Sequence, residues 1–160
     1  LVGVLNEYFT LMTGEVLKYG GVLDKYIGYA IMAFWGAPID DENQADNALK
    51  AALGMIKKLE ILNKELKTRG ELEIGMRIGI YTGEALAGNI GSDLRLNYTV
   101  IGDTVNVASR LEGTNKEYDT KIIIGETTKN KLKGNYNLKK LGSVTVKGRI
   151  EPLNIYTVIS

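Results

Sequence analysis

The chain has 160 residues, 44% hydrophobic and 24% charged, with a formal net charge of +1. That length and apolar content suffice for one globular core, and the near-zero charge argues against a broad nucleic-acid or membrane-surface footprint. Cysteine and histidine are both absent, which excludes disulfides, thiolate nucleophiles, His-based triads and Cys/His metal sites.

Residues 2–19 carry Val2, Leu5, Phe9, Met12 and Val16 at spacings of three and four, which predicts a helix ended by Gly20-Gly21. Val22–Ile27 and Ala30–Trp35 read as strands, and Gly28-Tyr29 between them fits a two-residue hairpin turn with glycine first. Gly36-Ala37-Pro38 breaks the pattern. Asp40-Asp41-Glu42 places acidic residues ahead of the next helix, where its dipole favours them. A long helix is expected over Ala45–Leu66. Its buried stripe is Leu49, Ala52, Leu53, Ile56, Leu59, Leu62 and Leu66, and Lys57, Lys58, Lys64 and Lys67 form a solvated face.

Gly70 closes that helix. Glu73–Tyr81 reads as a strand turned by Thr82-Gly83, with Ala85–Ile90 returning as its partner and 91–96 as a polar loop. Tyr98–Ile101 is a short strand and 103–112 a helix. Lys121–Ile124 is a β-branched strand, Thr127–Leu132 a short helix, and Leu138–Val158 finishes as strands with turns at Gly142 and Gly148-Arg149. No apolar segment is long enough to span a bilayer, and no signal peptide is visible. Mixed strands and helices with several hairpins predict an α+β fold in a single domain.

The chemistry left to this composition rests on carboxylates, Lys, Arg, hydroxyls, amides and hard cations. That menu suits phosphate or nucleotide chemistry. Neither a P-loop nor a Gly-x-Gly-x-x-Gly loop occurs, so a nucleotide would be held another way. The segment Asn97-Tyr-Thr-Val-Ile-Gly-Asp-Thr-Val-Asn-Val-Ala-Ser-Arg-Leu111 supplies one. Asn106 and Arg110 are four residues apart on one helix face, beside an apolar stripe of Val107 and Leu111. A lone pair of this kind is usually a solvated surface; a planar guanidinium beside a side-chain amide also suits an oxyanion.

Four segments together resemble the class III adenylyl and guanylyl cyclase catalytic domain. They are Leu5-Asn-Glu-Tyr-Phe9, Leu23–Pro38, Tyr98–Leu111 and Val144-Thr-Val-Lys-Gly-Arg149. The resemblance covers essentially the whole of residues 1–160. It implies a ferredoxin-like α+β fold with a mixed, mainly antiparallel sheet and helices on one face. It also implies pairing of two domains as a homodimer or heterodimer, and conversion of ATP to 3′,5′-cyclic AMP and pyrophosphate in signalling. By the same resemblance Asn106 orients the ribose and Arg110 stabilises the transition state at phosphorus. Lys147 holds the terminal phosphates, with Arg149 a nearby fallback, and Lys25 with Thr99 reads the purine. Lys with Thr favours ATP over GTP; a guanylyl cyclase is the alternative.

The resemblance further implies two Mg²⁺ or Mn²⁺ ions held by two aspartates. One of those positions is Tyr29 in this chain, and a phenol is a poor ligand for a hard cation at neutral pH. The other belongs to a strand expected before the first helix and absent from this sequence, which reads as N-terminally trimmed. A metal-deficient pseudocyclase, binding nucleotide as a regulatory partner, is therefore the competing expectation. Nucleic-acid and membrane contacts are not expected of the domain itself, and a cytoplasmic location is, including as the cytosolic part of a larger protein.

Overall fold

The computed structural model describes residues 2–92 and 95–159. The chain folds as two compact units: Leu1–Trp35 with Asn47–Met76, and Gly36–Asp46 with Arg77–Ser160.

The first unit opens with α1 (Val2–Lys18): of the expected stripe Met12 and Val16 are buried, Leu5 and Phe9 are half-buried and Val2 is exposed, while Tyr8, outside that stripe, is buried. Gly20 ends it in a left-handed conformation, with φ 78°. Strands β1 (Val22–Ile27) and β2 (Ala30–Phe34) form the expected hairpin, and Gly28 takes φ 61° at its turn. A register shift between Leu23 and Lys25 leaves Asp24 as the extra residue of a bulge. Helix α2 (Gln44–Thr68) buries Leu49, Ala52, Leu59, Leu62 and Leu66, and Leu53 and Ile56 are half-buried. Its four named lysines are exposed. Gly54 on α2 makes room for the buried Glu15 of α1, since a Cβ there would sit 2.8 Å from a carboxylate oxygen.

The expected strand at Glu73–Tyr81 shortens to β3 (Ile78–Ile80). Residues before it do not find a ladder. Instead Ile74 exchanges both backbone hydrogen bonds with the Asn63 side chain of α2, donating at 2.8 Å and accepting at 2.9 Å. That amide imitates a strand neighbour and holds the segment as a connection.

In the second unit β3 pairs in parallel with β6 (Ile122–Gly125), and β4 (Leu86–Ser92) pairs antiparallel with β5 (Arg95–Ile101). The expected pairing of 85–90 back onto 73–81 is thus replaced by two separate pairings. The expected loop over 91–96 is mostly strand: Gly91 opposes Leu96 and Ser92 opposes Arg95, and residues 93–94 lie outside the described ones. The larger sheet has the order β3-β6-β8-β7, with β7 (Leu138–Val144) and β8 (Leu153–Val158) antiparallel. Gly142 is not a turn. It sits at a register shift inside β7 with φ 149°, a bulge position that glycine accepts without strain. The mixed, mainly antiparallel sheets with helices confirm the α+β class.

Helix α3 (Asp103–Tyr118) runs six residues beyond the expected 103–112. Gly113 does not stop it because the next two residues are tied down. Thr114 and Asn115 are buried, and Asn115 donates to the Ile78 carbonyl at 3.0 Å and accepts from Thr120 Oγ1 at 2.7 Å. Val107 and Leu111 of α3 join Ile123, Val144, Val146, Leu153 and Ile155 in one core cluster. Short helix α4 (Glu126–Lys131) follows β6.

Asp46, at the start of α2, anchors the 133–136 turn. Its buried carboxylate accepts the backbone N–H groups of Lys133 and Gly134 and the Tyr136 hydroxyl, each at 2.9 Å. Burial, then the bond to Asp46, pushes the Tyr136 hydroxyl up to about 12, so it stays a donor at neutral pH. Asp46→Ala is expected to cost about 2 kcal/mol, because it strands two backbone donors. Urea denaturation measures it; a loss under about 0.5 kcal/mol would mean that water satisfies those donors instead.

Candidate active site

The site grows from the first turns of α3. Gly102, with φ 130°, delivers the chain from β5 into the helix, and its carbonyl accepts the N–H groups of Val105 and Asn106. The Thr104 hydroxyl donates to the Glu84 carbonyl, fixing that turn to the segment between β3 and β4. Val107 and Leu111 are sealed in the core, and positions 103, 106 and 110 lie together on the adjoining side of the helix. Asp103, Asn106 and Arg110 therefore line one wall of a cleft of about 500 Å³.

The second wall is Thr145, Val146 and Lys147, from the turn that joins β7 to β8. Burial alternates along this stretch. Val144 and Val146 enter the core, so Thr145 and Lys147 stay outside. Three residues expected at the site, Asn106, Arg110 and Lys147, thus meet in one cleft although the last is 37 positions from the second. Their side chains have no hydrogen-bond or ion-pair partner among the described residues.

The contrast with other arginines is informative. Arg69 pairs with Glu7 at 3.1 Å, Arg77 with Glu112 at 3.1 Å and Arg149 with Asp103 at 2.7 Å. Arg110 alone, among arginines with described side chains, keeps its guanidinium unpaired. Two unpaired cations and an amide around one cleft make a receptor for an anion with several oxygens. Arg149, the fallback for Lys147, is committed elsewhere. Its hydrogen bonds to Asp103 push the guanidinium further above its usual value, so its charge is fixed.

Asp103 and Thr145 also line this cleft and were not singled out from the sequence. Asp103 reads there as an ordinary first-turn acid, and only its place one turn before Asn106 hints at a shared face.

Thr99 is buried on β5, opposite Gly88 of β4, and is not part of the cleft lining. Lys25 lies on β1 of the first unit. Its ammonium is exposed and 3.6 Å from the Asp24 carboxylate, whose side chain is only 1% exposed. Tyr29 occupies the β1–β2 turn with 70% of its surface exposed. Among the described residues no three acidic groups gather to hold a metal ion, and the hairpin turn offers a phenol in place of a carboxylate. This donor set does not fit a two-ion site within the described residues.

The family model for the adenylate and guanylate cyclase catalytic domain matches residues 1–160. The chain belongs to this family of nucleotide cyclases. It is 38% identical over 159 residues to adenylate cyclase 1 of Rhizobium meliloti (strain 1021), covering 99% of this chain and 24% of that protein. The chain thus spans about a quarter of the length of that curated relative. In structure it is similar to the adenylyl cyclase CyaB from P. aeruginosa, with a TM-score of 0.90 and 34% identity, covering 100% of this chain and 82% of that one. It is also similar to the guanylyl cyclase Cya2, with a TM-score of 0.89 and 33% identity, covering 98% and 79%. Overall likeness therefore does not separate the two substrate types. Among the described residues, no helix is long and apolar enough to cross a membrane.

Proposed function

We propose that residues 1–160 act as one adenylyl cyclase catalytic domain that converts ATP to 3′,5′-cyclic AMP and pyrophosphate in the cytoplasm, as a dimer of cyclase domains. One observation carries this reading: Asn106, Arg110 and Lys147 line a single cleft with side chains that have no hydrogen-bond or ion-pair partner among the described residues. The reaction is attack of the ribose 3′-hydroxyl on the α-phosphorus, with pyrophosphate leaving. Asn106 holds the ribose by its amide. Arg110 meets the negative charge that grows on the phosphorus oxygens, and its fork can contact two of them. Lys147 binds the terminal phosphates as a point charge. Lys25 and Thr99 are the purine-reading pair of this proposal, a donor for a ring nitrogen and an acceptor for the 6-amino group, which favours ATP over GTP.

The test is direct. The protein is incubated with ATP or GTP and Mn²⁺, and the cyclic product is quantified. Cyclic AMP in excess over cyclic GTP is expected. No cyclic product from an intact dimer would overturn the reading.

A second reading has its own support in Tyr29. A phenol at an exposed hairpin turn, with no acidic cluster among the described residues, favours a module that binds nucleotide and complements a partner domain carrying the metal carboxylates. Tyr29→Asp separates the two. If the turn belongs to a metal site, the substitution raises cyclic AMP formation on the order of tenfold or more. An unchanged rate would remove the turn from the site. Turnover that requires mixing with a second cyclase domain would favour the complementing module.

A further inference from the structure

Among the described residues Lys147 has no hydrogen-bond or ion-pair partner, and it lines the cleft from an exposed turn. A long, flexible ammonium on such a turn would lose much of its worth to entropy unless the backbone beneath it were fixed. Two residues on, the Arg149 side chain is held from two sides. Its Nε and Nη2 donate to Asp103 Oδ2 at 3.2 and 2.7 Å, and its guanidinium carbon lies 5.4 Å from the centre of the Tyr81 ring. The Tyr81 ring in turn packs against the core cluster that contains Val107 and Val146. The backbone closes the same turn: Arg149 N–H donates to the Val146 carbonyl at 3.0 Å, and Gly148 takes φ 85° between them. Asp103 belongs to α3, the helix that carries Asn106 and Arg110.

We propose that Arg149 is a positioning residue: clamped between Asp103 and Tyr81, it fastens the 145–149 turn to α3 and so fixes Lys147 across the cleft from Arg110. The proposal rests on the reading of this cleft as a triphosphate site. Its selectivity follows from chemistry. A ligand with β- and γ-phosphates uses Lys147 and gains from the clamp, whereas a monophosphate held by Asn106 and Arg110 does not. Arg149 is not itself a phosphate ligand here, because its donors are spent on Asp103.

The experiment compares equilibrium binding of ATP, inorganic triphosphate and AMP to the full chain and to Arg149→Met, Lys147→Met and the double variant. The clamp is about half exposed, with side-chain exposures of 35% and 55%. Exposed ion pairs of this kind change an equilibrium by up to about fivefold. Arg149→Met is therefore expected to weaken ATP and triphosphate by about threefold to fivefold, leave AMP unchanged, and add little in the Lys147→Met background. Equal weakening of AMP, or multiplicative losses in the double variant, would overturn the proposal.

A simpler role, neutralising Asp103 beside the phosphates, is separated by Arg149→Met with Asp103→Asn. Removing both charges restores triphosphate binding if neutralisation is all that Arg149 does, and that outcome overturns positioning; binding that stays weak supports it. Amide exchange gives a readout that needs no nucleotide. In Asp103→Asn the Arg149 N–H is expected to exchange several-fold faster, and unchanged exchange counts against the clamp. Should the parent protein bind neither ATP nor triphosphate, the cyclase reading fails, and the exchange result still decides whether Arg149 fastens the turn.

Discussion

Replacing Arg110 with alanine is expected to lower the proposed ATP turnover by roughly 10²–10³-fold while leaving the fold intact. The guanidinium is exposed at the cleft and has no partner among the described residues, so its loss strands no buried group there. Stability is expected to change by no more than about 0.5 kcal/mol. The rate falls because the proposed role is met only as charge develops on phosphorus, when the bond to the leaving oxygen lengthens. Arg110→Lys keeps the charge and loses the fork, so it recovers part of the rate and not all of it. Cyclic AMP production under saturating ATP, with thermal unfolding in parallel, measures both quantities. A loss below tenfold, or a loss explained by unfolding, would remove Arg110 from the reaction.

Gly79→Ala is expected to be the most damaging small substitution, at about 3 kcal/mol. Gly79 lies on β3 directly against α3. A Cβ there would stand 2.3 Å from the Glu112 nitrogen and 2.4 Å from the Ala108 carbonyl oxygen. Both atoms are helix backbone, so no side chain can swing aside. The helix itself must move, and it carries Asn106 and Arg110. A fall in the urea midpoint with a parallel loss of ATP affinity is the expected pair of results. Gly88→Ala is the matched control, because nothing lies within 4 Å of a Cβ at that strand position. Equal stability of the two variants would mean that β3 and α3 are not in this close contact.

The long helix α2 was legible because its apolar residues repeat over many turns, and the β1–β2 hairpin because Gly28 marks its turn. Strand partners were not. Residues 85–90 carry nothing that names 95–101 rather than 73–81 as their neighbour, and the polar stretch 91–96, which reads as a loop, conceals that the partner is the next strand along the chain. The end of α3 was misplaced for a similar reason. Gly113 signals a stop locally, and the buried bonds of Asn115 to Ile78 and Thr120 override it.

For the site the division is the same. Residue identity alone supplied Asn106 and Arg110 on one face, since helical periodicity is a local property, and the family resemblance drew Lys147 to that pair. Sequence also excluded every thiol and imidazole chemistry and put Tyr29 at the hairpin turn. Only the tertiary structure decided that α3 and the β7–β8 turn form a common cleft, that Arg110 stays unpaired while Arg149 is bound to Asp103, and that β3 approaches α3 closely enough to require Gly79. The physical reason is that spacing along a chain fixes which way neighbouring side chains point. Which distant charges meet, and which remain open for a ligand, is set by how the core packs the elements that carry them.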